Sequence, residues 1–173
     1  MNYLKQKIRT IPDFPAPGIQ FRDITTLLAD PGAFKDVIER FVEHYQGEAI
    51  DLGVGVESRV FIIWELLALR LGKSFFPILK AGILPRPTHR VEYDLEYGTD
   101  RMEVHPDAIP EGSKILMVDD MLVTGSTIEG CSRPIVQAGG VIVGYAFVIE
   151  LIDLKGRNRF NHPIFTLVNF EGE

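Results

Sequence analysis

The sequence predicts an α/β fold with a central, mostly parallel sheet flanked by helices. Strand-like and helix-like segments alternate along the chain, and the strands read as near-continuous apolar runs. Such strands belong in a sheet covered on both faces. The size agrees: 173 residues, 46% of them hydrophobic and 24% charged, make one domain with a full core. A chain of this length buries roughly 70% of the surface its unfolded form exposes. No repeat, low-complexity tract or linker divides it, so residues 1–173 are expected to fold as one domain.

Charge and cysteine usage remove whole classes of function. Lys and Arg number 18 against 24 Asp and Glu, a net charge of −6. That balance speaks against a general nucleic-acid or anionic-membrane binder, and any anionic ligand needs a local site. The single cysteine, Cys131, leaves no internal disulfide and no Cys-based zinc site, which suggests a reducing compartment. The N-terminal residues are interrupted by charge, unlike a signal peptide. The most apolar stretches, Val60–Leu71 and Val141–Ile152, fall short of the ~20 residues a membrane span needs. A cytoplasmic protein is expected.

Each element has a local reason. Tyr3–Ile11 is expected as a short helix, followed by a stiff turn over Pro12–Gly18 that carries three prolines. Asp30 and Pro31 form a helix start, an N-cap followed by proline at the first helical position. Phe34, Val37, Ile38, Phe41, Val42 and Tyr45 then recur at helical spacing as one stripe, and Gly47 ends the helix. His44 falls on its exposed face. Ala49–Val56 is a strand, Val60–Leu71 an apolar helix closed by Gly72, and Ser74–Leu79 the next strand. Lys80–Asp107 is polar and proline-containing, with a hairpin expected between Thr88–Leu95 and Asp100–His105. Lys114–Val118 is a buried strand, Thr127–Gln137 a helix, Val141–Glu150 a long strand and Ile164–Asn169 the last. Pro134 argues against the helix that contains it, at about 3 kcal/mol or a kink.

The segment Lys114–Thr127 carries the most chemistry. Two adjacent carboxylates, Asp119 and Asp120, fit the carboxyl end of a buried parallel strand, where open α/β sheets bind ligands. The small, hydroxyl-rich Thr124-Gly-Ser-Thr127 follows and opens a helix. Its free N–H groups and the helix dipole suit an anion. Carboxylates suit a sugar diol and the turn suits a phosphate, so together they suggest a sugar phosphate. The same residues also fit an acidic strand end followed by an ordinary N-cap turn. Gly53-Val-Gly55 resembles the start of a dinucleotide fingerprint, but position 58 is Ser and no acid follows at the required spacing.

Val118-Asp-Asp-Met-Leu-Val-Thr-Gly-Ser-Thr127 resembles the phosphoribosyl-diphosphate motif of the type I phosphoribosyltransferases. Phe14-Pro-Ala-Pro-Gly-Ile-Gln-Phe-Arg-Asp-Ile24, Glu57-Ser-Arg59, Lys80-Ala-Gly-Ile-Leu-Pro85, Tyr93-Asp-Leu-Glu-Tyr-Gly98 and Leu154-Lys-Gly-Arg157 narrow the resemblance to the adenine phosphoribosyltransferases. It runs in order over nearly the whole chain. It implies the type I phosphoribosyltransferase fold, with a small N-terminal hood over about residues 1–30 and a flexible active-site loop over about 80–107. It further implies transfer of ribose 5-phosphate from phosphoribosyl diphosphate to N9 of adenine, giving AMP and diphosphate, with Mg²⁺ carried by the substrate. A homodimer is usual in the family, and the helix Val60–Leu71 with Trp64 is the candidate interface.

Carried over by position, Val123, Thr124, Gly125, Ser126 and Thr127 would hold the 5′-phosphate, and Asp119 and Asp120 would face the ribose hydroxyls. Phe21 would stack on adenine while backbone groups of Gln20 and Arg22 read its edge. The alternative for Phe21 is an ordinary core residue, although the preceding proline-rich turn points to a fixed loop. Arg59 and Lys80 would meet the diphosphate, Glu96 would move a proton at the base, and Tyr97 would help cover the site. No protein-held metal is implied.

The chain departs from the family pattern at five positions. Val60 and Trp64 stand where glycines are usual, Ser126 replaces a glycine of the phosphate turn, and Leu79 and Ile83 replace an Arg and a Lys. A second reading follows from the lost cations: a nucleotide-binding or regulatory protein with weak or no catalysis.

Overall fold

The computed structural model describes residues 3–85, 88–95, 98–105 and 107–172; for 89–95 and 98–100 the backbone alone is described. These residues form a two-stranded and a seven-stranded sheet with helices against the larger one. In chain order the elements are α1 (Tyr3–Gln6), β1 (Arg9–Pro12), β2 (Gln20–Asp23), α2 (Thr25–Leu28), α3 (Pro31–Tyr45), β3 (Leu52–Val56), α4 (Val60–Leu71) and β4 (Ser74–Lys80). Then come β5 (His89–Leu95), β6 (Gly98–Val104), β7 (Lys114–Leu122), α5 (Ser126–Gln137), β8 (Val141–Leu151) and β9 (Ile164–Phe170).

The large sheet runs β5-β6-β4-β3-β7-β8-β9, with β4, β3, β7, β8 and β9 parallel and the β5–β6 hairpin antiparallel at one edge. From β3 the chain first adds β4 on one side and later β7 on the other. That reversal opens a crevice above the carboxyl ends of β3 and β7, the usual ligand position in such sheets.

Two cores hold the sheet. On one face α3 and α4 pack through Val37, Phe41, Ile63, Trp64 and Leu67. On the other, α5 brings Ile128, Cys131 and Ile135 against Ile78, Met102, Ile115 and Met117. The α3 stripe is buried as its spacing requires at Val37, Ile38, Phe41 and Tyr45, with Phe34 and Val42 half-buried beside it. Asp30 caps the helix, accepting from the Ala33 amide at 3.0 Å. Gly72 closes α4 in the left-handed region at φ +64°, a conformation glycine adopts freely.

Several expectations need correction. The helix expected over Tyr3–Ile11 stops at Gln6, because β-branched Thr10 and Ile11, followed by Pro12, pair as β1 with β2. The strand expected to end at Val118 continues to Leu122, because β8 stays paired with it up to Leu122 and Glu150. Pro134 does lie inside α5; it forgoes one late bond to Gly130 while the ends of the helix remain bonded. The hairpin expected between Thr88–Leu95 and Asp100–His105 does form, as β5 and β6, and what its sequence did not show is that β6 pairs with β4 and so extends the main sheet. Trp64 is no interface residue: it is 2% exposed, packed on Phe41 at a ring separation of 5.2 Å. His44 is exposed, as expected, yet stacks on Phe165 at 3.7 Å.

Candidate active site

Three neighbouring strands deliver the candidate residues. β3 ends at Val56 and leads into Glu57–Arg59, β4 ends at Lys80, and β7 carries Asp119 and Asp120. The β3–β7 ladder stops at Gly55 and Val118, so the two aspartates lie one step beyond the point where β3 leaves. They occupy the strand itself and are half-buried. Asp119 accepts the Asp120 amide at 2.8 Å. Burial first, and the neighbouring Asp120 charge second, push the Asp119 carboxyl well above the ordinary carboxylate range.

Arg59 joins the predicted subsites. Its Nε lies 2.9 Å from Asp120 Oδ2, and its guanidinium stands 5.6 Å from the centre of the Phe21 ring. Phe21 is half-buried and absent from both cores, so it is not the ordinary core residue. Phe14 from the preceding turn meets it edge-on at 5.3 Å. Gln20 and Arg22 flank it on β2. In an antiparallel strand alternate residues send their backbone groups to the same edge, so these two present theirs together. The Arg22 side chain points elsewhere, stacking 4.4 Å from the Phe170 ring and donating to Thr10 Oγ1. Asp23 fixes the end of β2: Arg9 and Thr25 hold its carboxyl down to about 2.

The turn after β7 is small and braced. Gly125 has φ +81°, and a side chain there would meet Phe160 at 2.9 Å and the Gly156 carbonyl at 3.0 Å. Glycine is therefore required on both counts. Ser126, the substituted position, has no positive φ and shares a hydrogen bond of 3.0 Å with Thr124 Oγ1. A cavity of about 60 Å³ lies within Asp119, Val123, Thr124, Gly125 and Thr127.

The residues that brace this turn lie far along the chain. A Cβ on Gly156 would stand 2.2 Å from the Val123 carbonyl oxygen. Arg159 donates to the Thr124 carbonyl at 2.8 Å and pairs with Glu129. Arg157 is held by buried Glu150 and donates to the Ile164 carbonyl. The resemblance at Leu154–Arg157 implies no role for any residue of that segment; its packing on the turn shows only in three dimensions.

On the other side of the crevice, Lys80 is exposed at the end of β4, and its amide donates to Glu57 Oε2 at 2.9 Å. Leu79 is half-buried and Ile83 is 57% exposed. Buried Glu103 of β6 accepts from the amides of Ile83 at 3.0 Å and Leu84 at 2.7 Å and from the Thr88 hydroxyl at 3.2 Å. The Leu84 amide leads in drawing its carboxyl down to about 2, against the effect of burial. Glu96 and Tyr97 lie outside the described residues. Among the described residues no group of three or more His, Cys, Asp or Glu is placed to hold a metal ion, and no helix is long and apolar enough to cross a membrane.

The two depressed carboxyls set an acid limit on the fold. Their folded pKa values lie below the ordinary 3.8 and 4.5, so their contribution is complete above those values and lost as pH falls toward 2. Asp23→Asn combined with Glu103→Gln is expected to flatten the fall in Tm between about pH 5 and pH 2. Thermal melts across that range check it, and parallel curves for both proteins would contradict it.

No family model matches the chain. A Chloroflexus aurantiacus adenine phosphoribosyltransferase is 51% identical to it over 168 residues, covering 96% of this chain and 97% of the relative. One from Proteus mirabilis is 50% identical over 175 residues, covering 99% and 96%. Among solved structures, the adenine phosphoribosyltransferase of Thermoanaerobacter pseudethanolicus superposes with a TM-score of 0.92 at 42% identity, over 96% of this chain and 98% of that one. That of Saccharomyces cerevisiae, complexed with adenine and an imino-altritol bisphosphate, has a TM-score of 0.88 at 39% identity, over 95% and 96%.

Proposed function

Because this chain belongs to the adenine phosphoribosyltransferase family, we propose that it moves the 5-phosphoribosyl group of phosphoribosyl diphosphate to N9 of adenine, releasing AMP and diphosphate in purine salvage. The observation that carries this reading is the convergence of Phe21, Arg59 and Asp120 over one crevice. A base, a leaving diphosphate and a ribose meet at a single carbon in this reaction, and Arg59 stands between the ring of Phe21 and the carboxylate of Asp120 as that requires. The reading without catalysis is not favoured.

In this account the amides of Val123–Thr127 take the 5′-phosphate at the start of α5, and Asp119 and Asp120 face the ribose diol. As the bond from C1′ to diphosphate breaks, positive charge develops on the ribose, and the carboxylates beside it stabilise that charge. Arg59 and Lys80 offset the charge on the departing diphosphate, and Mg²⁺ carried by the substrate would neutralise a further part of it. Adenine stacks on Phe21 with its edge against the backbone of Gln20 and Arg22, and N9 closes on C1′. Glu96 takes part in moving the base proton and Tyr97 in covering the site, as the family pattern implies. The β1–β2 ribbon serves as the hood.

We place the enzyme in the cytoplasm, where its single, buried cysteine, Cys131, stays reduced. A homodimer forms through α4, whose Ile62, Leu66 and Leu69 lie on one face at helical spacing and are 51%, 40% and 77% exposed.

Base choice tests the proposal. Main-chain reading of adenine presents an acceptor to its amino group, and a 6-oxo base would leave buried groups unpaired at about 1–3 kcal/mol each. AMP formation from adenine is expected to exceed nucleotide formation from hypoxanthine or guanine by a factor of a hundred or more in kcat/KM, about two such penalties. Comparable values for guanine would overturn the assignment.

The lost cations give a second test. Leu79→Arg with Ile83→Lys is expected to lower the KM for phosphoribosyl diphosphate, by about tenfold for each restored contact of ~1.4 kcal/mol. Ile83 faces solvent and accepts the change without repacking, so most of the gain is expected there. The Kd for AMP, which lacks the diphosphate, is expected to stay put. An unchanged KM would contradict the charge argument.

A further inference from the structure

We infer that Glu103 is a positioning residue for the diphosphate, holding the turn Gly82–Leu84 in shape from beneath. The inference rests on the functional reading above and extends it to a side chain that touches no substrate.

Glu103 sits on β6, opposite Leu79 of β4, in the second strand after the turn rather than in the turn itself. Its side chain is fully buried, and a buried carboxylate is costly unless it is well hydrogen-bonded. It finds donors in the turn: the amides of Ile83 and Leu84 on Oε1, and the Thr88 hydroxyl on Oε2. Two consecutive amides converging on one oxygen fix the peptide planes on both sides of Ile83. Gly82 just before them has φ +95°, the reversal that lets the chain curl over the carboxylate. The same turn is tied to the crevice at its other end, where the Lys80 amide donates to Glu57, two residues before Arg59.

A structural carboxylate could cap any turn. This one caps the turn that begins at Lys80, whose amide is tied to Glu57 two residues before Arg59, and Lys80 and Arg59 are the cations assigned to the diphosphate. With Leu79 and Ile83 supplying no charge, those cations must be placed well, because a misplacement of about 1 Å can cost a hundredfold in rate. The 5′-phosphate turn and the Phe21 ribbon are built by other residues: Gly156 and Arg159 for the first, Phe14 and Asp23 for the second. Loss of Glu103 is therefore expected to weaken handling of one part of one substrate.

The test separates acceptor geometry from charge. Glu103→Met removes both oxygens and strands the amides of Ile83 and Leu84. Glu103→Gln keeps a carbonyl oxygen for the two amides and an NH₂ group that can donate to Thr88. The Met variant is expected to raise the KM for phosphoribosyl diphosphate tenfold or more, with the adenine KM and the AMP Kd within twofold of the parent. The Gln variant is expected to stay within threefold throughout. If Glu103→Met does not fold, Thr88→Val carries the test, with an expected two- to fivefold rise in the same KM. An unchanged KM for phosphoribosyl diphosphate, or an equal loss of AMP affinity, would overturn the inference. Absence of AMP formation by the parent enzyme would instead overturn the functional reading.

Discussion

Replacing Gly156 by alanine is expected to lower kcat/KM for phosphoribosyl diphosphate by about a hundredfold or more. The added methyl would sit 2.2 Å from the Val123 carbonyl oxygen, 3.0 Å from Leu122 Cδ1 and 3.1 Å from the Thr124 carbonyl carbon. Two of these are backbone atoms of the phosphate turn, and they cannot swing aside as the end of a flexible side chain can. Either the turn moves or the 155–160 segment does. That segment is anchored by Arg157 on Glu150 and by Arg159 on Glu129, so the turn is expected to yield. Overpacking of this kind costs about 1–3 kcal/mol in stability, and displaced phosphate donors cost activity on top of it. Steady-state kinetics with AMP titration check both effects. Parent-like activity and AMP affinity would show that the two segments part without consequence.

The acidic pair carries the second large effect. Asp119→Asn with Asp120→Asn removes two charges from the place where the ribose becomes cationic, while each amide keeps an oxygen for the Asp120 N–H and the diol. Removing one preorganised electrostatic group typically costs 10²–10³ in kcat, and the double variant is expected to lose about a thousandfold. Stability is expected to move the other way. The Asp119 carboxyl is raised in the folded state, so folding binds protons at this site. Its effect on stability is thus unfavourable as pH rises through the folded value, and neutralising it removes that cost. Asp119→Asn alone is expected to raise Tm at neutral pH by about 2–4 °C for each kcal/mol recovered. A variant that is both less active and less stable would mean that the pair belongs to the fold rather than to the chemistry.

Where side-chain pattern and capping chemistry decide an element, the sequence was readable. The α3 cap at Asp30 and the α4 span from Val60 to Gly72 follow from local signals alone. Asp119 and Asp120 were legible because few places in an α/β sheet accept adjacent carboxylates. Long-range pairing was not legible. The β-branched Thr10 and Ile11 and the proline after them weaken a helix over Arg9–Pro12, but only Gln20–Asp23 across the turn makes the segment a strand. The length of β7 depends on β8 in the same way. Glu103 and Gly156 escaped for a related reason, since an acid in an alternating strand and a glycine in a polar loop look ordinary. Each matters through atoms distant in sequence: the Leu84 amide for one, the Val123 carbonyl for the other.

A crystal structure of the enzyme with AMP tests the central claim most directly, because one ligand spans the phosphate turn, the acidic pair and the Phe21 ribbon. The account predicts the phosphate within hydrogen-bond distance of the amides of Gly125–Thr127, the ribose diol on Asp119 and Asp120, and adenine stacked on Phe21. AMP seated elsewhere, such as the groove of about 440 Å³ lined by His44, Tyr45 and Phe165 at the opposite end of the strands, would contradict it.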